Sequence, residues 1–133
     1  MDNKQLDSFL YDYSRITMNN TVFYLSTCST CKRILSELDL PEDFNRIDIK
    51  KDPLTEDQLE YLKELSGDYE SLFNRRAQLY RQRNLKEKEL SEEDYKELLL
   101  EHYTFLKRPV FVIDKEIYIG NSKKNVAALK KAL

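Results

Sequence analysis

The sequence lacks most of what would carry a chain into a membrane or out of the cell. Nowhere does it approach the ~20 consecutive apolar residues that a spanning helix needs, and no basic-then-apolar leader opens it. A cytoplasmic protein with no membrane association is the expectation. Cysteine is scarce: Cys28 and Cys31 are the only two, which excludes the disulfide framework of a small secreted domain. Neither sign of charge dominates, since 22 basic residues face 24 acidic ones for a formal net charge of -2. No net field therefore draws the chain directly to nucleic acid or anionic lipid. Repeats, low-complexity tracts and flavin or nicotinamide motifs are missing. The lone His102 and the two cysteines would offer zinc three ligands, where a structural site takes about four. No bound metal or cofactor is expected.

The length of 133 residues suits one monomeric domain, able to bury roughly 68% of its unfolded surface. Thr21 to Leu25 is β-branched and aromatic and reads as a buried strand. Thr30 to Leu40 reads as a helix stopped by Pro41, with Cys31, Ile34, Leu35 and Leu38 on one face. Phe44 to Ile49 fits a partly covered strand. Thr55 and Gln58 form a capping-box pattern that opens a helix to about Ser66, closed by Gly67. Tyr69 to Asn84 is helical in composition, broken at Asn74-Arg75-Arg76, and Ser91 begins another helix with Tyr95, Leu98, Leu99 and His102 inward. Pro109 to Ile113 is a strand that must begin at its proline. Asp114-Lys115 turns the chain, Glu116 to Ile119 returns antiparallel, and Ser122 caps a last helix carrying Val126, Leu129 and Leu133. The order predicts an α/β layered domain over 21–133 with a helical insert at about 67–105, preceded by an N-terminal extension at 1–20.

The cysteines stand between a strand and the start of a helix. Free N–H groups and aligned peptide dipoles at a helix N-terminus favour an anion, and Lys32 and Arg33 add positive charge to stabilise a thiolate. The Cys28 thiol should then ionise below the free value of about 8.5 and act as a nucleophile. Cys31, one turn on, is placed to resolve an adduct. The plainer alternative is that both are packing residues. His102 fits a helix-end position better than a catalytic base. Arg75, Arg76, Arg81 and Arg83 form a second feature. They are either a solvated face paired with the glutamates at 87, 89, 92 and 93, or a surface for oxyanions or a partner. Arg108-Pro109 is the third: if its bond is cis, Arg108 could reach an anion beside the thiol; otherwise Pro109 is an ordinary edge-strand residue.

Strand-then-CSTCKR, LFNRRAQLYR (Leu72 to Arg81), LKRPVFVIDKEIYIG (Leu106 to Gly120) and a terminal helix together resemble the arsenate reductase/Spx family from Thr21 to Ala132. The resemblance implies a thioredoxin-like, glutaredoxin-like mixed sheet flanked by helices, with a helical insertion between its halves. It implies that Cys28 is the nucleophile that attacks arsenate or a disulfide, with Cys31 as the second redox sulfur. Arg108 matches an oxyanion-binding arginine and Arg76 that of the N-x-R segment, with Arg75 as a neighbour able to substitute. Electrons would come from glutathione and glutaredoxin, or from thioredoxin. In the Spx branch the CxxC pair instead switches a transcriptional regulator that binds RNA polymerase. Four departures stand out: a shorter loop from Tyr24 to Cys28, Ala77 in place of a frequent glycine, Asn121 where arsenate-reducing members carry a third arginine, and Cys31, which matches the Spx-type pair and not the reductases that lack a second cysteine there.

Overall fold

The computed structural model describes residues 20–133; apart from Asn20, the extension read at 1–20 lies outside the described residues. Four short strands form one sheet in the order β2-β1-β3-β4: β1 (Thr21–Tyr24), β2 (Asn45–Asp48), β3 (Val110–Ile113) and β4 (Glu116–Ile119). β1 and β2 run parallel across the helix α1 (Ser29–Leu38), while β3 pairs antiparallel with β1 and with β4. The sheet is therefore mixed, as the order of elements required.

Alternation along the strands sends side chains to opposite faces, and both faces are covered. Val22, Phe111 and Ile113 pack with Ile34 and Leu38 of α1 and with Leu129 of the last helix, α5 (Lys123–Ala132). Phe23, Val110 and Val112 pack on the other side, against Leu59 and Leu62 of α2 (Glu56–Ser66) and the residues of the insert. That is why β1 and β3 read as nearly continuous apolar runs. The expectation for Leu133 fails: it is 46% exposed, one residue past the turn that seats Leu129.

Local signals set most boundaries. At the start of α2, Thr55 Oγ1 accepts from the Gln58 N–H at 3.1 Å and Gln58 Oε1 accepts from the Thr55 N–H at 3.0 Å; Gly67, at φ +102°, ends the helix. The same reciprocal pair, Ser91 with Asp94, opens α4 (Glu92–Glu101). α1 ends earlier than the sequence suggested. Asp39 takes the left-handed conformation at φ +50° and stops it at Leu38, two residues short of Leu40.

The insert is less helical than its composition. Glu70–Leu72 is a single 3-10 turn and α3 spans only Gln78–Gln82. Phe73 leaves the helical path to bridge Leu106, while the Asn74 N–H donates to the Phe105 carbonyl at 2.7 Å and the Lys107 N–H to that of Leu72 at 2.8 Å. The Phe73 ring stacks on Phe105 at 5.2 Å and meets Tyr95 edge-on at 5.0 Å. Burial of this aromatic group overrides helix propensity here.

Candidate active site

Cys28 is the N-cap of α1, in extended conformation at φ -96° and ψ 114°. Its N–H donates to the Leu25 carbonyl at 3.0 Å, and its carbonyl accepts the first helical bond, from Lys32 at 3.1 Å. Upstream, Asp48 Oδ1 accepts from the Ser26 N–H at 3.3 Å and ties the loop to the end of β2. The thiol is half-buried, whereas Cys31 is fully buried beneath it. Partial burial opposes ionisation of Cys28, but the Cys31 backbone N–H, the Cys31 thiol and the Arg108 guanidinium outweigh it and hold the pKa below its ordinary value. Burial, reinforced by the adjacent Cys28 sulfur, pushes the Cys31 thiol up to about 11. The two sulfurs are thus driven apart in acidity.

The Arg108–Pro109 peptide bond is cis, and Pro109 is buried immediately before β3, which begins at Val110 and not, as expected, at the proline. Arg108 is held from behind: Nη1 donates to the carbonyls of Thr104 and Leu106, each at 3.3 Å. Its Nε is buried without a hydrogen-bond partner among the described residues. An orphaned guanidinium nitrogen beside a thiol suits an anionic group.

Cys28, Arg75, Arg76 and Arg108 line one open cleft of about 530 Å³, together with Asn74, Lys107, Asn121 and Ser122. The two arginines of the N-x-R segment differ in availability. The Arg75 guanidinium is committed to the Glu70 carboxylate and to the Tyr95 hydroxyl at 3.0 Å. Arg76 is exposed and forms no ion pair among the described residues. Arg75 is therefore poorly suited to stand in for Arg76. Lys32 and Arg33 do not join the cleft: both are exposed on α1, and Arg33 lies 4.0 Å from Glu37. The cation that acts on the thiol is Arg108.

Arg83 pairs with Glu101. Among the described residues no glutamate at 87, 89, 92 or 93 pairs with an arginine, and Glu92 instead accepts the Tyr69 and Glu70 N–H groups. His102 closes α4 and accepts the Thr104 N–H at Nδ1, 3.2 Å away, as a helix-end residue would. It faces a separate cavity of about 100 Å³. The described residues contain no group of three His, Cys, Asp or Glu able to hold a metal ion, and none of their helices is long and apolar enough to cross a membrane. Asn74 and Lys107 were not singled out in the sequence; Asn74 had a signal, as the first residue of the N-x-R segment.

A CxxC at a helix start, facing a cis-proline strand across a mixed sheet with helices on both sides, defines a thioredoxin-like protein. The ArsC family model matches residues 23–129, and the chain belongs to that family. It is 32% identical to the uncharacterized protein YusI of Bacillus subtilis over 107 residues, covering 77% of this chain and 91% of YusI. It is 25% identical to the regulatory protein MgsR of the same organism, covering 84% and 90% of the two chains. The arsenate reductase of Vibrio cholerae shares the fold at a TM-score of 0.67 over 85% of this chain and 96% of that one, with 18% identity.

Proposed function

We propose that this protein is a thiol-dependent oxidoreductase of the arsenate reductase type, with Cys28 as the nucleophile. The observation that carries the reading is the Cys28 sulfur at the N-cap of α1, acidified by the Cys31 N–H and thiol and by Arg108 within a cationic cleft. A thiolate flanked by arginines attracts an anionic electrophile. Arg108 and Arg76, which both line the cleft, would hold the anion.

With a disulfide substrate, the Cys28 thiolate attacks one sulfur and the other leaves as a thiolate, giving a mixed disulfide on Cys28. Cys31 then loses its proton to that departing thiolate or to water, and its sulfur attacks the Cys28 sulfur. The second substrate thiolate departs and a Cys28–Cys31 bridge remains. The substrate has gained two electrons and the protein dithiol has lost them. An external thiol, glutathione with glutaredoxin or else thioredoxin, restores the dithiol by the same exchange in reverse. With arsenate, the Cys28 thiolate would displace one hydroxyl, which takes a proton from solvent and leaves as water, forming an arsenic–sulfur bond. An external thiol would then attack the Cys28 sulfur, arsenic leaving as arsenite with the bonding pair and Cys28 remaining as a mixed disulfide for a second thiol to reduce. Asn121, in the place of a third arginine, favours the disulfide as substrate.

The test is turnover of arsenate and of a small anionic disulfide, each supplied with glutathione and glutaredoxin or with thioredoxin. One of these should be reduced by wild type and not by Cys28→Ser. Inactivity of wild type toward both, with either donor, would overturn the reading. A second reading is favoured by the likeness to MgsR and by the CxxC itself: a redox-switched regulator that binds RNA polymerase. Polymerase retained by the oxidised form and lost on reduction, without turnover, would select it.

A further inference from the structure

The two arginine-bearing walls of the cleft meet at one carbonyl oxygen. Arg108 Nη1 donates to the Thr104 oxygen at 3.3 Å, and Asn74 Nδ2 donates to the same oxygen at 3.4 Å. A carbonyl oxygen has two lone pairs, and here both are used. At its other end the Asn74 carboxamide accepts the Arg76 N–H on Oδ1 at 3.0 Å. One side chain therefore touches the backbone of Arg76 and one of the two carbonyls that anchor Arg108.

We infer that Asn74 is a positioning residue, aiming the Arg108 guanidinium at the Cys28 sulfur by fixing the Thr104 carbonyl that both side chains share. This rests on the reading above that Arg108 acts on Cys28. The local turn alone does not call for asparagine. Accepting the N–H two residues on needs only a side-chain oxygen, which serine or aspartate also supplies. What asparagine adds is the N–H donor facing Thr104. The surrounding backbone is fixed without it, by the Asn74 N–H on Phe105, the Lys107 N–H on Leu72 and the Phe73–Leu106 bridge. Loss of the carboxamide should thus loosen the anchor of Arg108 and leave the fold in place.

The experiment is a double-mutant cycle on the reduced full-length protein. Wild type, Asn74→Ala, Arg108→Ala and the double variant are alkylated across pH with neutral iodoacetamide and anionic iodoacetate, and modification of Cys28 is followed by peptide mass spectrometry. Asn74→Ala should move the Cys28 profile to higher pH and lower the iodoacetate-to-iodoacetamide rate ratio about threefold, the worth of a modest hydrogen bond. Added to Arg108→Ala it should change nothing further, because Asn74 acts through that guanidinium. A merely structural role would shift thermal unfolding and leave the ratio alone. The inference is overturned if Asn74→Ala matches wild type or if the two substitutions act independently in the double variant. If wild type and Arg108→Ala coincide, the underlying reading of Arg108 fails, and this one with it. Should Asn74→Ala lose its helical circular dichroism, Asn74→Ser, which keeps an oxygen for the Arg76 N–H, takes its place in the cycle.

Discussion

Cys28 owes its acidity to groups that approach from two directions: the first turn of its own helix and an arginine from the far half of the chain. Replacing Arg108 removes the second and leaves the first. Arg108→Ala should raise the Cys28 pKa and slow alkylation by iodoacetamide at neutral pH about three- to tenfold, read from thiolate ultraviolet absorbance and from rates. Lys32→Ala, on the exposed face of α1, should leave both nearly unchanged. Cys31 predicts a dependence of the opposite kind. Its folded value of about 11 lies above the ordinary thiol value of about 9, so the folded state keeps a proton that the unfolded state loses. Stability is whole below about pH 9 and declines as pH rises through 11. In the reduced protein the unfolding temperature should fall over that window, and Cys31→Ala should make the fall shallower.

The insert depends on the ring of Phe73. Truncation in Phe73→Ala empties a fully buried site and should cost about 3–5 kcal/mol in urea denaturation, whereas loss of the α2 cap in Thr55→Ala should cost about 1 kcal/mol. The contrast matches what the sequence discloses. Caps, turns and strands are written in neighbouring residues, so the boxes at Thr55 and Ser91, the Asp114-Lys115 turn and the strand-CxxC-helix unit could all be read directly. The end of α1 at Asp39, the brevity of α3 and the exposure of Leu133 could not, because packing between distant segments decides them. The cleft divides the same way. Cys28, Arg76 and Arg108 carry local signatures, but the bond from Asn74 to Thr104 spans 30 positions. The choice of Glu70 and Glu101 as arginine partners likewise appears only once the chain is folded.

The protein as a whole is acidic, with a formal charge of -2, yet it gathers Arg75, Arg76, Lys107 and Arg108 around one sulfur. Local field and net charge thus have opposite signs. An anionic reagent should gain over a neutral one only at close range, and added salt should erase the gain, since the screening length is about 8 Å at physiological ionic strength. The iodoacetate-to-iodoacetamide rate ratio at Cys28 should fall steadily between 10 mM and 1 M sodium chloride, where iodoacetamide alone changes little.

The two sulfurs of α1 also impose an order of events. Burial holds the proton on Cys31, and while Cys28 carries its charge that charge adds to the hold. Were the outer sulfur spent in a bond to an incoming group, that added repulsion would go and burial alone would oppose ionisation of the inner one. On the proposed reading of Cys28 as nucleophile and Cys31 as resolving thiol, the helix start would thus favour the second sulfur only after the first has reacted.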